Sequence, residues 1–223
     1  MSFTVVIPWR TDGGSRQRIH DWVFERWSLV YPTTTIIVAD SGDETFSRGA
    51  SRNVGVEQSS TSVVVLADSD TVPIKAFVDA AVATAERGTM CFAYDKKRYY
   101  NLAEGPTERY LNLSPMTEVT KPLPGEYEHE LTSWAGMIAV PRANFDQIGG
   151  YDERFVGWGH EDLAFQIKMD AECGPHERVN GGYVVHLWHP RGDATFDTTH
   201  ELQNRALFKQ EYQQKYGWRD PRV

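Results

Sequence analysis

Two aspartates separated by one residue, Asp68 and Asp70, directly follow an apolar run that predicts a buried strand over residues 62–67. Two carboxylates at positions i and i+2 beside a strand end can approach one hard cation, directly or through water. Magnesium or manganese held in this way can bridge two phosphate groups and neutralise a departing diphosphate. An isolated pair of this kind is more often a polar turn, so its meaning depends on the surrounding elements.

A second candidate segment is the Gly-Trp-Gly-His-Glu-Asp sequence of residues 157–162. Its two glycines allow a loop to approach a ligand closely, and Trp158 can lie flat against a sugar ring. Glu161 and Asp162 open a predicted helix, whose dipole favours their anionic forms. A carboxylate there can accept the proton of an attacking hydroxyl group. The alternative is that both residues only cap the helix.

Two histidines, His186 and His189, lie at the end of a late strand predicted over residues 183–188. Imidazole nitrogens suit manganese better than magnesium. Either histidine alone is more often a structural residue. We predict that at least one of them binds a metal ion.

The first ninety residues alternate three times between strand and helix, which predicts a parallel sheet with right-handed crossovers. The predicted strands cover residues 3–7, 34–39 and 62–67, and the predicted helices cover 15–30, 47–58 and 73–87. Ligands of such sheets lie beyond the carboxyl ends of the strands. The polar residues at these ends are Arg10, Asp12, Asp40, Asp68 and Asp70.

The second half of the chain is less regular. Further strands are predicted at 90–94, 137–140 and 183–188. Helices are predicted from Pro141 to the Gly149-Gly150 pair, at 161–171 and at 199–216. Residues 98–130 contain four prolines and lose the pattern, so they are predicted to form a mobile loop or a short helical insertion.

The overall length and composition predict one α/β domain over residues 1–223. A net charge of −8 argues against nucleic-acid or anionic-membrane binding through bulk charge, although a local basic patch stays open. Two cysteines imply no disulfide framework. We predict a cytoplasmic protein, since neither a signal peptide nor a membrane-spanning run is apparent.

The first half resembles the nucleotide-sugar-binding half of the GT-A glycosyltransferases, especially family 2. Val6-Ile7-Pro8 matches the end of their first strand, and Asp40 matches an Asp at the end of their second. Arg52-Asn53-Val54-Gly55 matches their Arg-Asn-x-Gly segment, and Asp68-Ser69-Asp70 matches their D-x-D motif. The resemblance implies an α/β GT-A (Rossmann-like) fold with a mostly parallel central sheet flanked by helices. It also implies that the single domain has a nucleotide-sugar-binding half (1–95) and an acceptor-binding and catalytic half (96–223).

The resemblance also implies a donor site for a UDP-sugar. Arg48 and Arg52, four residues apart on one helix face, would face the base or the diphosphate. A small-residue turn at Gly136 would lie against the donor sugar. The implied donor-binding residues are Pro8, Arg10, Asp40, Arg48, Arg52, Asp68, Ser69 and Gly136.

Residues 157–162 resemble the Gly-Trp-Gly-x-Glu-Asp segment of galactosyltransferase-like and N-acetylgalactosaminyltransferase-like enzymes, which place their catalytic base in the Glu-Asp pair. We favour Asp162 as the base and Glu161 as a ligand of the acceptor hydroxyl, without strong preference. His160 departs from the Gly that is frequent there. The implied acceptor-binding residues are Trp158, Gly159 and Trp134. For Trp134, packing in the core is an alternative of nearly equal weight. The implied metal ligands are Asp68, Asp70, His186 and His189.

The sequence therefore predicts an enzyme that uses Mn²⁺ or Mg²⁺ to transfer a hexose or N-acetylhexosamine from a UDP-sugar to an acceptor hydroxyl, with inversion favoured over retention. The acceptor could be a glycan, a protein or a small molecule, and the acidic charge disfavours a nucleic acid. One alternative is a nucleotidyltransferase acting on sugar phosphates, for which residues 13–16 would be a thin phosphate loop. Another is a nucleotide-sugar-binding module without turnover.

Overall fold

The computed structural model describes residues 2–11, 13–131, 133–190 and 198–217. Asp12, one of the polar residues predicted at a strand end, lies outside the described residues. The strands are β1 Thr4–Pro8, β2 Thr35–Ala39, β3 Val63–Ala67, β4 Thr71–Val72, β5 Cys91–Phe92, β6 Tyr99–Leu102, β7 Tyr127–Leu131, β8 Met137–Pro141, β9 Glu177–Arg178 and β10 Val184–His186. The helices are α1 Ser15–Val30, α2 Arg48–Glu57, α3 Lys75–Ala85, α4 Glu104–Leu111, α5 Arg142–Ile148, α6 Glu161–Cys173, α7 Thr198–Phe208 and α8 Gln214–Tyr216; the π-helical segment Lys209–Gln213 joins α7 to α8.

The larger sheet has six strands in the order β2-β1-β3-β8-β5-β9. Five of them run in the same direction, and only β8 is antiparallel to its neighbours β3 and β5. Every residue of β1, β3 and β8 is buried, as expected for strands covered on both faces. Helix α2 packs on β1 and β2, and α3 packs on β8 and β5. The predicted strand and helix alternation is therefore confirmed.

A smaller sheet, in the order β4-β10-β6-β7, was not predicted. One of its strands, β6, and all but the last residue of another, β7, lie within residues 98–130, where the sequence predicted a loop or a short helical insertion. Only the helical part of that prediction is right, because α4 connects the two strands. The strands pair with partners distant in sequence, and such pairing leaves little local signal.

The smaller sheet matters because it joins two distant candidate segments. Strand β4 begins one residue after Asp70, and its register pairs Thr71 with His186 and Val72 with Val185. The backbone N–H of Leu187 also donates to the carbonyl oxygen of Asp70 at 2.9 Å. The late histidine strand is thus held directly beside the aspartate triplet.

No helix in the described parts of the chain combines the length and apolar character needed to cross a membrane.

Candidate active site

Asp70 and the two late histidines form one cluster. The Nε2 atom of His186 lies 3.4 Å from Oδ1 of Asp70, and Nε2 of His189 lies 3.2 Å from Oδ2. One potential ligand atom from each of the three residues lies within 4.8 Å of the others. The sequence left His186 and His189 as competitors for a single role, whereas the structure brings both to the same carboxylate.

Asp70 in this cluster is ionised, as a carboxylate ligand of a divalent cation must be. Asp70 is buried, and its Oδ1 has no hydrogen-bond partner in the described structure. Burial opposes ionisation of Asp70, but the two imidazoles outweigh it and hold the pKa of this carboxyl well below its usual range. Burial likewise opposes charge on His189, but its hydrogen bond to Asp70 raises the pKa of the imidazole. One ionised carboxylate and two imidazole nitrogens make a plausible donor set for Mn²⁺.

Asp68, the other carboxylate of the triplet, has different partners. Its Oδ1 accepts a hydrogen bond from Nη2 of Arg52 at 2.5 Å, and Nη1 of Arg48 lies 4.0 Å from its Oδ2. The structure therefore brings Asp70 and the histidines together but points Asp68 towards the arginines of α2. Ser69, between the two aspartates, is buried.

The turn that carries the triplet is fixed by Gly136. The carbonyl oxygen of Gly136 accepts hydrogen bonds from the Asp68 N–H and the Thr71 hydroxyl, both at 2.9 Å. Gly136 has φ +94°, and an added Cβ would lie 2.5 Å from the Tyr99 ring. A glycine is thus required here by both backbone conformation and space.

The predicted base and its neighbour are both buried and lie against the α2 arginines. Oδ1 of Asp162 accepts a hydrogen bond from Nη1 of Arg52 at 2.5 Å, and its Oδ2 lies 3.3 Å from Nη2 of Arg48. Glu161 also accepts a hydrogen bond from Arg48 and a second from the Gly159 N–H at 3.0 Å. Asp68 and Asp162 are thereby bridged through Arg52.

The two carboxyls of the Glu-Asp pair differ in proton affinity. Burial raises the pKa of Asp162 to about 6, with Glu161 and Asp68 adding to the effect and the arginines opposing it. Burial also opposes ionisation of Glu161, but Arg48 and Arg52 outweigh it and lower the pKa of Glu161. A general base is most effective when its pKa lies near the working pH, so Asp162 is the better suited of the two.

Arg10 and Asp40 meet at the ends of β1 and β2. Nε and Nη2 of Arg10 each donate to one carboxylate oxygen of Asp40 at 2.6 Å. This bond to Arg10 lowers the pKa of Asp40. The register of β1 and β2 explains the proximity, because it pairs the buried Pro8 with Ala39. Both side chains are about one-third exposed, so the pair is open to a ligand.

The loop before α6 presents Trp158 to solvent. The side chain of Trp158 is 43% exposed. Gly157, Gly159 and His160 all have positive φ, which shapes the turn into the helix. The buried side chain of Asn204 on α7 holds this loop, donating to the carbonyl oxygens of Val156 and Trp158 at 2.9 and 3.2 Å.

Trp134 packs against apolar side chains. It is half-buried against the small apolar cluster that includes Phe155 and Leu163. The guanidinium group of Arg178 lies 5.5 Å from the centre of its ring. These contacts favour the core role that the sequence left open beside acceptor binding.

Three residues close to the site were missed in the sequence. Arg16, in the first turn of α1, has Nη2 3.6 Å from Oδ2 of Asp70. Tyr151 lies under the Arg52 guanidinium, and Asn204 holds the Trp158 loop. Only Arg16 had a signal, because it follows the Gly13-Gly14 pair after the first strand.

Comparison with known proteins relates part of this sequence to glycosyltransferases. The sequence model described as the N-terminal domain of galactosyltransferase matches residues 121–190. That stretch contains the Glu161–Asp162 pair and both histidines of the cluster. Validoxylamine A glucosyltransferase of Streptomyces hygroscopicus subsp. jinggangensis is 26% identical over 106 residues, covering 48% of this chain and 24% of the relative. The matched stretch is therefore only a minor part of that longer protein.

Two solved structures share the architecture. The catalytic domain of Drosophila beta-1,4-galactosyltransferase 7, in complex with xylobiose, has a TM-score of 0.51 at 17% identity, covering 84% of this chain and 71% of that one. Glucosyl-3-phosphoglycerate synthase from Mycobacterium tuberculosis, in complex with Mn²⁺ and UDP-glucose, has a TM-score of 0.52 at 15% identity, covering 99% and 80%. This chain has the GT-A fold. The predicted fold class is confirmed, and the GT-A sheet explains why the candidate residues converge, since the ends of β1, β2 and β3 meet at one edge.

Proposed function

We propose that this chain is a metal-dependent glycosyltransferase that moves a hexose or N-acetylhexosamine from a UDP-sugar to an acceptor hydroxyl with inversion. One observation carries the proposal. The Asp70–His186–His189 cluster and the buried base Asp162 occur together in a GT-A fold, linked through Asp68 and Arg52.

The proposed reaction is a single displacement at the anomeric carbon. The acceptor oxygen attacks that carbon, Asp162 takes the hydroxyl proton, and the bond from the anomeric carbon to the phosphate oxygen breaks to release UDP. The hydrogen bond from the Gly159 N–H and the contact with Arg48 orient Glu161 as a ligand of the acceptor hydroxyl. The exposed face of Trp158 supplies an apolar surface for a sugar ring.

Asp70, His186 and His189 would hold the metal ion, with Oδ2 of Asp68 as a further ligand while Oδ1 of Asp68 stays bonded to Arg52. A bound divalent cation supplies charge stabilisation to the departing diphosphate. Mn²⁺ is the first candidate because two of the three clustered donors are imidazoles, and Mg²⁺ is the second. A matching precedent is the synthase from M. tuberculosis, which was solved with Mn²⁺ and UDP-glucose.

The donor side is assigned to the exposed Arg10–Asp40 pair beside Pro8 and to Arg48, Ser69 and Gly136 around the triplet. The acceptor side is assigned to Trp158 and Gly159. A glycan or small-molecule acceptor is favoured, in line with the xylobiose bound by the Drosophila enzyme, and the net charge of −8 disfavours a nucleic acid.

Cys91 and Cys173 are both free, and we propose a cytoplasmic location, where the reducing environment keeps thiols free.

The alternatives are less well supported. A nucleotidyltransferase has no use for the Gly-Trp-Gly-His-Glu-Asp loop, and the compared proteins with a named activity are glycosyl-transferring enzymes. A binding module without turnover has no need for a buried carboxyl with a pKa of about 6 that Arg52 links to the Asp68–Asp70 turn.

The test is UDP release from a panel of nucleotide sugars with Mn²⁺ present, with water as acceptor and then with candidate sugars added. We expect release from at least one UDP-hexose or UDP-N-acetylhexosamine, and its loss after chelation with EDTA. Release of pyrophosphate would favour the nucleotidyltransferase. Donor binding without release under every condition would favour the binding module.

A further inference from the structure

Arg52 is the most buried cation of the site. Only 2% of its surface is exposed, although it carries a full positive charge. Its Nη2 bonds to Oδ1 of Asp68 and its Nη1 to Oδ1 of Asp162, both at 2.5 Å. The two ends of one guanidinium therefore hold one carboxylate from the metal-binding turn and one from the base-bearing helix.

The face of this guanidinium is fixed as well. The ring centre of Tyr151 lies 5.0 Å from it, and that ring stacks on Phe165 at 4.1 Å with an interplanar angle of 3°. The neighbouring Asn53 holds the Tyr151 backbone in both directions: its amide donates to the carbonyl oxygen at 2.9 Å, and its oxygen accepts from the N–H at 2.8 Å. Arg52 and Asn53, adjacent on α2, thus hold the carboxylate bridge and the Tyr151 ring beneath it in a fixed relative position.

Arg48, one helical turn earlier, differs in exposure. Its side chain is 24% exposed and contacts Glu161, so a ligand entering the site can reach it. Arg52 is only 2% exposed and its Nε is buried, so a ligand has almost no access to the N–H groups that the two carboxylates leave. A phosphate could bind Arg52 only by displacing a carboxylate, which would leave a buried charge unpaired, and that is strongly unfavourable.

We propose that Arg52 is a positioning residue that fixes Asp162 relative to the Asp68–Asp70 turn and does not contact the nucleotide. The assignment rests on the proposed function and replaces the donor-binding role that the family resemblance implied for Arg52. Because a planar guanidinium fork can serve two carboxylates at once and an ammonium group cannot do so in the same geometry, lysine is not an equivalent residue here.

The first experiment separates binding from turnover. R52K and R52M are assayed for UDP release with water as acceptor, and the donor KM and kcat are measured separately. We expect kcat to fall by about 100-fold, as for a base displaced by roughly 1 Å, and the donor KM to stay within about twofold. R142M is the matched control: Arg142 donates to the carbonyl oxygens of Val56 and Ser59, next to the end of α2, and touches no carboxylate of the site. Its kcat and KM should equal those of the wild type.

The second experiment asks whether Arg52 acts through Asp162. Introducing R52K into an Asp162→Asn protein should lower kcat by less than about twofold further, since residues that act as one unit are not additive. A merely structural role would lower kcat equally in both backgrounds, which would overturn the proposal. A donor KM raised more than about fivefold, or an unchanged kcat, would overturn it too.

Near-UV circular dichroism reports whether each variant is folded. If R52M does not fold, R52K decides alone by the same criteria. If the wild-type protein releases UDP but the Arg52 variants do not show the expected changes in kcat and donor KM, only the role of Arg52 is refuted. A wild-type protein that releases no UDP from any nucleotide sugar refutes the proposed function, and the role of Arg52 falls with it.

Discussion

At the scale of single residues, the site depends on how a few buried charges are paired. Asp68 and Asp70 are two positions apart, yet one faces an arginine and the other faces two imidazoles. Side chains at i and i+2 share one face of a strand, but Ser69 and Asp70 lie in a turn after β3, so the D-x-D spacing alone could not show which partners each carboxylate has. The pairing divides the triplet between the cluster with His186 and His189 and a salt-bridge network with Arg48 and Arg52.

The first residue-scale prediction concerns the base. Asp162→Asn keeps the size of the side chain but removes its ability to take a proton, so UDP release should fall by about 10²–10⁴-fold. Donor affinity, measured by calorimetry with Mn²⁺, should stay within a few-fold of the wild type. Asp146→Asn is the control, because Asp146 pairs only with Arg142 on the surface of α5. Full activity of Asp162→Asn would remove the base assignment.

The second residue-scale prediction concerns pH. Burial raises the pKa of Asp162 to about 6, and only the ionised form can accept a proton. The kcat/KM of UDP release should therefore fall about tenfold per unit below pH 6 and level off above it. The profile is measured from pH 5 to 8 at saturating Mn²⁺. If Asp162→Asn keeps the same acidic limb in its residual activity, another group is responsible.

At the scale of elements, the position of the triplet depends on the pairing of β4 with β10 and on the turn at Gly136. Neither strand is longer than three residues. The apolar pattern predicted the late strand, but it gave no information about its partner, because strand pairing is decided by contacts across the sheet. The histidine cluster is a product of this register.

Gly136→Ala tests the turn. The positive φ and the close approach to Tyr99 should cost about 1–3 kcal/mol of unfolding free energy and reduce UDP release, since the Asp68 N–H bonds to this residue. Urea denaturation measures the change in stability. Gly105→Ala on α4 is the control, where an added Cβ meets nothing within 4 Å, so stability should stay equal or rise. Equal behaviour of the two variants would contradict this account.

Asn204→Ala tests the link between α7 and the Trp158 loop. The substitution removes the hydrogen bonds between a buried side chain and the backbone of Val156 and Trp158. We therefore expect the free energy of unfolding to fall by about 1–3 kcal/mol and the KM for an added acceptor sugar to rise. The donor KM should change little. The neighbouring exposed Gln203→Ala should leave both quantities unchanged. An acceptor KM equal to that of the wild type would show that the Asn204 hydrogen bonds do not shape the acceptor site.

At the scale of the whole molecule, the site joins elements from both halves of the chain, so ligand binding should stabilise the fold. With Mn²⁺ and UDP at about 100 times their dissociation constant, linkage adds about 2.7 kcal/mol, which corresponds to roughly 5–11 °C in the melting temperature. His189→Ala should abolish most of this shift, and His129→Ala, an exposed histidine on β7, should keep it. A shift that survives EDTA would argue against a metal-dependent site.

The sequence by itself determined the central α/β architecture and most of the candidate residues. Apolar strands that end in polar residues specify a parallel sheet whose carboxyl ends converge, and this holds for Arg10, Asp40 and Asp68. The glycine-rich loop with its Glu-Asp pair was also recognisable, because its residue types and spacing are local features.

The tertiary structure decided what each of these residues contacts. It placed His186 and His189 on Asp70 through an unpredicted two-residue strand, and it turned Arg52 away from solvent to bridge Asp68 and Asp162. It also brings three residues from distant parts of the chain close to the candidate site, namely Arg16, Tyr151 and Asn204. The physical reason is that strand register and the pairing of buried charges depend on contacts between segments far apart in sequence, which periodicity and local motifs do not encode.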